Sequence, residues 1–147
     1  MSRSHETIID IKTTPEELFR ALTDPTQIVK WFAPEARVDP QVGGEYFFSW
    51  GPGMEGRTII SAWEPNTHFG TGKERSVTYG SKGTPVDTGV MRRIAVDYYI
   101  ESIGDGVTRL RLVQSGFGPE AAWDDEVESI KTGWNDFLKK LKEVLEG

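Results

Sequence analysis

The last quarter of the chain carries the feature that most limits its fold. Trp123, Val127, Ile130, Trp134, Phe137, Leu138, Leu141 and Leu145 recur at steps of three and four, the spacing of one helical face. The pattern predicts a single helix from just after Pro119 to about Leu145. Glu120, Asp124, Asp125, Glu126 and Glu128 crowd its start and Lys139, Lys140 and Lys142 its end, as the helix dipole favours. At ~1.5 Å per residue it would span roughly 40 Å. No other stretch can cover so much sheet, so the remaining elements must be arranged around this one.

Upstream, the periods are shorter. Glu6 to Lys12 alternates, with Ile9 and Ile11 to one side and Ile8, Asp10 and Lys12 to the other, as in a half-exposed strand. Thr14-Pro15-Glu16-Glu17 supplies an N-cap, a first-turn proline and acids at the positive helix end, and Leu18, Phe19 and Leu22 supply the apolar face. Thr23-Asp24-Pro25 stops this helix. Pro25 starts a second short one bearing Ile28, Trp31 and Phe32, which Pro34 ends.

From Arg37 the period falls to two. Tyr46, Phe48 and Trp50 share a face after Gly43-Gly44, and Gly51-Pro52-Gly53 turns the chain into a strand from about Gly56 to Glu64. Pro65-Asn66 turns it again toward Thr67, His68 and Phe69. Residues 70–89 are rich in glycine and small polar residues, with Val77, Tyr79 and Val86 the large apolar exceptions, and read as a loop or weak edge strand. Val96, Tyr98 and Ile100 then alternate with Asp97, Tyr99 and Glu101, and Leu110 and Leu112 with Arg109 and Arg111. A three-residue loop, Gly104-Asp105-Gly106 with Gly106 left-handed, keeps both apolar sets on one face and sets Glu101 opposite Arg109. Gly116-Phe117-Gly118-Pro119 breaks the strand before the long helix.

Helices segregated from a run of antiparallel strands make an α+β fold. A sheet curved around one helix has a concave face, here lined by Tyr46, Phe48, Trp50, Tyr98, Leu110 and Leu112 and by the helix's Ile130, Trp134 and Leu138. Two readings stay open at this point: a closed core, or a pocket for an apolar molecule oriented by a few polar groups.

Composition removes several function classes. The 147 residues suit one domain, and aromatics at 11% supply enough apolar surface to close its core. The chain has no Cys, which excludes thiolate nucleophiles, iron–sulfur ligation and Cys-based zinc sites. His5 and His68 lack the paired spacing of a metal helix, so no metal or cofactor is expected. A net charge of −6 argues against nucleic acid as a partner. No apolar run approaches the ~18–20 residues of a membrane span, and no leader pattern opens the chain, so a cytoplasmic location is expected. Gly70-Thr71-Gly72 lacks the third glycine of a dinucleotide motif, and no P-loop lysine follows any glycine run. No feature sets an oligomeric state.

Four stretches together resemble a known family. These are "TPEELFRALTDPTQIVKWF" (Thr14 to Phe32), "VGGEYFFSWGPG" (Val42 to Gly53), "TRLRLVQSGFG" (Thr108 to Gly118) and "TGWNDFLKKLKEVLEG" (Thr132 to Gly147). In this order they look like the START-like, polyketide-cyclase superfamily (SRPBCC), in the branch named for the C-terminal domain of the activator of the heat-shock-90 ATPase. The resemblance spans nearly the whole chain, residues 1–147 forming one such domain. It implies the helix-grip fold: a seven-stranded antiparallel sheet wrapped around the C-terminal helix, with a hydrophobic cavity between them. Many relatives bind lipids, sterols or polyketides there, but the superfamily transfers no catalytic residue to this sequence.

The first expectation is therefore binding of a small hydrophobic or aromatic molecule (lipid, sterol, flavonoid or polyketide-like) without catalysis. Tryptophan and tyrosine rings with donors attached suit a planar, oxygenated ligand. The alternative is a cyclase, dehydratase or hydrolase in the same cavity, with Tyr46, Tyr98, Arg57, His68 and Asp97 as acid–base candidates. Alternation directs Asp97 outward. Co-chaperone activity is suggested by the family name alone; the named activator joins this domain to a separate N-terminal one, which a chain of this length does not hold.

Overall fold

The structure is a computed structural model that describes residues 3–52, 55–72, 95–117 and 124–147. β1 (Arg3–Ile11) leads into α1 (Pro15–Thr23) and α2 (Pro25–Trp31). Six further strands follow: β2 (Glu35–Val38), β3 (Glu45–Ser49), β4 (Glu55–Glu64), β5 (His68–Gly72), β6 (Ala95–Gly104) and β7 (Val107–Phe117). The chain closes on α3 (Asp124–Glu146). The strands form one seven-stranded antiparallel sheet in the order β1-β7-β6-β5-β4-β3-β2, and α3 packs on its concave face in a helix-grip arrangement.

The helix starts follow from local chemistry. The Thr14 hydroxyl accepts from the Glu17 N–H at 3.2 Å, capping α1. Asp24 serves both helices. Its N–H donates to the Arg20 carbonyl to close α1, and its carboxylate accepts from the Thr26 N–H at 2.9 Å to open α2. The last carbonyls of α1 are taken up by side chains from elsewhere: the Trp31 indole donates to Ala21 O at 2.8 Å, and the Tyr46 hydroxyl to Leu22 O at 3.0 Å.

Leu110 and Leu112 of β7, Ile60 of β4, Phe69 of β5 and Ile11 of β1 are fully buried on the concave face, where Leu138 and Leu141 of α3 meet them. The end of α3 is fastened to β1. The Lys12 N–H donates to the Glu146 carboxylate at 3.0 Å, and the Lys142 ammonium to the Asp10 carbonyl at 3.1 Å.

Three elements differ from expectation. The β6–β7 turn is a two-residue one, Asp105-Gly106, both at positive φ (55° and 73°), with Gly104 paired to Val107. A register slip between Ser102 and Gly104 restores the expected pairing of Glu101 with Arg109. β7 runs through Gly116 to Phe117 rather than breaking at the glycine. β5 lies in the middle of the sheet, between β4 and β6, although its glycines read as loop or edge composition. A Cβ on Gly70 would stand 2.6 Å from the Asp97 carboxylate and 2.9 Å from the Ser61 hydroxyl, so the small residue makes room for its neighbours' side chains. The rest of that expected loop, with Val77, Tyr79 and Val86, lies outside the described residues, as does Trp123 of the helical stripe. Val127 belongs to α3, but its side chain is outside those described.

Candidate functional site

Period-two alternation on three strands places Tyr46 and Phe48 (β3), Phe69 (β5) and Tyr98 (β6) on the concave face, while Phe32 reaches it from the end of α2 and Trp134 from α3. Their rings form a closed circuit. Centroid separations run 4.9 Å from Phe32 to Phe48, 6.1 Å to Tyr46 and 5.4 Å to Phe69. They continue at 5.6 Å to Tyr98, 6.0 Å to Trp134 and 5.5 Å back to Phe32. These are the distances of favourable edge-to-face and offset pairs. Phe48 lies over Gly56, its cross-strand partner, where a Cβ would fall 2.2 Å from the ring. Tyr46, Phe69 and Tyr98 are buried, whereas Phe48 and Trp134 are only partly so.

The circuit gathers Tyr46, Phe48, Tyr98 and Trp134 as the sequence places them, with Leu110, Leu112 and Leu138 buried in the same core. Ile130 belongs to α3, but its side chain is outside those described. Trp50 contacts Phe48 at 5.2 Å and Phe32 at 5.2 Å, yet remains 36% exposed, because its indole N–H is drawn outward to the Phe32 carbonyl at 3.1 Å. There it stacks on Phe137 and lines a surface cleft of about 440 Å³ with Val29, Phe32, Asp136 and Lys140. Phe32 belongs to both the cleft and the circuit.

Burial pushes the phenols of Tyr46 and Tyr98 well above the ordinary tyrosine value, for Tyr98 with smaller contributions from Tyr46 and Asp97, so both are protonated at neutral pH. The other acid–base candidates face away from them. His68 Nε2 lies 2.8 Å from Asp97 Oδ1 on the convex face, its ring stacked on Tyr99 at 4.4 Å. Arg57 lies over Phe47, which Arg37 also covers. Among the described residues no group of His, Asp and Glu side chains could hold a metal ion, and no helix is long and apolar enough to cross a membrane.

Sequence reasoning missed Gln114. It follows Leu110 and Leu112 at period two on the concave face of β7, is 2% exposed, and its Oε1 has no hydrogen-bond partner. Val96 and His5 stand opposite it on the two adjoining strands. Alternation alone marks the position, as the one polar residue following two buried leucines on the same face.

Comparison with known proteins agrees with this architecture. No curated protein matches the chain. Among solved structures, a protein of Mesorhizobium loti is 27% identical with a TM-score of 0.77, covering 97% of this chain and 96% of that one. The Aha1 dimer of Colwellia psychrerythraea is 20% identical with a TM-score of 0.80, covering 98% and 96%. DynU16, a protein of the dynemicin biosynthetic locus, is 19% identical with a TM-score of 0.72, covering 97% of this chain but 47% of its own. The model of one family matches residues 12–146, which hold all three helices and every strand but β1. The chain thus belongs to the family described as Activator of Hsp90 ATPase homolog 1-like proteins.

Proposed function

We propose that this protein binds a small hydrophobic or aromatic molecule, of lipid, sterol, flavonoid or polyketide character, between the concave face of the sheet and α3, without chemistry of its own. The observation that carries this reading is the circuit of rings, in which Phe48 and Trp134 face the interior but are incompletely covered. Aromatic faces left uncovered inside a fold offer stacking surface that water satisfies poorly. The fold similarity to DynU16, a protein of a biosynthetic locus, is compatible with a ligand of this class. Catalysis in the same place is less well supported: Arg57, His68 and Asp97 face outward, and the Tyr46 hydroxyl is engaged by the end of α1.

Calorimetry against fatty acids, sterols, flavonoids and polyketide-like aromatics tests the reading. A planar aromatic is expected to bind in the micromolar range, with Trp134→Ala weakening it at least about tenfold through loss of a stacking face. Affinity no tighter than millimolar for every class overturns it.

A further inference from the structure

Resting on that binding reading, we propose that Gln114 is the polar anchor of the site and that the ligand class it selects is a neutral aromatic bearing a hydroxyl group. Buried carboxamides are almost always hydrogen-bonded, and Gln114 Oε1 is the exception among the described residues. The other polar side chain buried on this face of β7, Thr108, is satisfied, donating to the Thr13 carbonyl at 2.7 Å. Gln114 therefore holds an acceptor that the fold itself does not use.

Register places that acceptor beside the aromatic circuit. Tyr98 pairs with Leu112 and Val96 with Gln114, so Tyr98 and Gln114 are diagonal neighbours on one face of β6 and β7. Diagonal positions are ~7–8 Å apart, within reach of two long side chains. A ring resting against Tyr98 and Trp134 would point a substituent along β7 toward Gln114.

The chemistry of the substituent follows from what surrounds it. A carboxylate only accepts, so it could pair with the N–H2 of the carboxamide but would leave Oε1 unpartnered. The cations of β7, Arg109 and Arg111, are on the other face, bound to Asp10 and Glu6. An ammonium would donate, but would be buried without a described carboxylate on this face of β6 and β7. A hydroxyl both donates and accepts, so it satisfies the carboxamide whichever way the amide is turned.

A matched pair of probes, 2-naphthol and naphthalene, tests the assignment on the intact chain by calorimetry. The wild type is expected to bind 2-naphthol about fivefold to tenfold tighter than naphthalene, the preference one hydrogen bond supplies. Gln114→Leu should bind the two equally, with naphthalene no weaker than before. Gln114→Met, which keeps the unbranched length, should behave the same. In the wild type, the Gln114 side-chain amide resonances should shift with 2-naphthol and stay in place with naphthalene, a readout that needs no variant to fold. Equal affinity of the two probes for wild type, or a preference that survives both substitutions, overturns the anchor while leaving the binding reading intact. Failure of both probes to bind overturns the anchor together with the reading on which it rests.

Discussion

Single side chains in this protein often serve a neighbour other than the one their sequence position suggests. Arg109 stands opposite Glu101 in the ladder, yet its guanidinium forks onto Asp10 of the other adjoining strand at 2.8 and 3.1 Å. That hydrogen bond, with the charges of Arg109 and Lys142, holds the Asp10 carboxyl below its ordinary value of 3.8. A carboxyl with a depressed native pKa adds stability that is complete above the ordinary value and is lost as pH falls through the native one. Asp10→Asn should therefore flatten the fall in melting temperature below about pH 4 relative to wild type; an unchanged acid limb in thermal scans would contradict this. Phe47 makes the same point about reach. Strand alternation turns it to the convex face, where it should be open to water, but Arg37 and Arg57 cover its ring at 4.2 and 5.0 Å and leave it 2% exposed. Alternation states a side chain's direction, not what the longer side chains directly opposite it on the two adjoining strands will lay over it.

At the level of elements, the parts set by local chemistry were the most legible. Thr14-Pro15 opens α1 and Asp24-Pro25 opens α2 as the cap and proline signals indicate, and the stripe ending at Leu145 is α3. Asp24 is shared by two helices, so Asp24→Ala removes a carboxylate cap from α2 while sparing the backbone bond that ends α1. A loss of about 1 kcal/mol is expected in urea unfolding; no change would mean that Thr26 finds water as good a partner. Less legible was β5. Its glycines carry no apolar signal, and the purpose of Gly70, clearance for Asp97 and Ser61, exists only once β4 and β6 lie beside it. The four residues of β2 escaped for a related reason: a strand so short has too few alternations to register as a period.

Across the whole molecule, the sequence was enough to assign the class of fold and the inward side of each long strand, but not how completely the concave face is filled. That depends on residues far apart in the chain. Phe32 touches Phe48 of β3, Trp134 and Phe137 of α3 and Trp50, and so joins α3, the sheet and the segment connecting β3 to β4. Phe32→Ala should cost about 3 kcal/mol and loosen α3 against β3, read as faster amide exchange in both. An effect confined to α2 would show that the circuit closes without it. Gln114 went unseen because a glutamine near a strand end normally reads as solvated; its burial is a property of the assembled sheet.

The fastening of α3 to β1 bears on how such a face could admit anything. Glu146 and Lys142 pin the helix at one end, so the helix behaves as a beam on a pivot and its displacement grows with distance from the pin. Trp134 lies 12 residues from Glu146 on α3, or about 18 Å along the axis at the helical rise. A tilt of about 5° would lift it by roughly 1.5 Å, on that lever arm. The two contacts at the far end would scarcely move. Opening the space beneath Trp134 thus calls for no broken hydrogen bond at the pivot, only a small rotation about it.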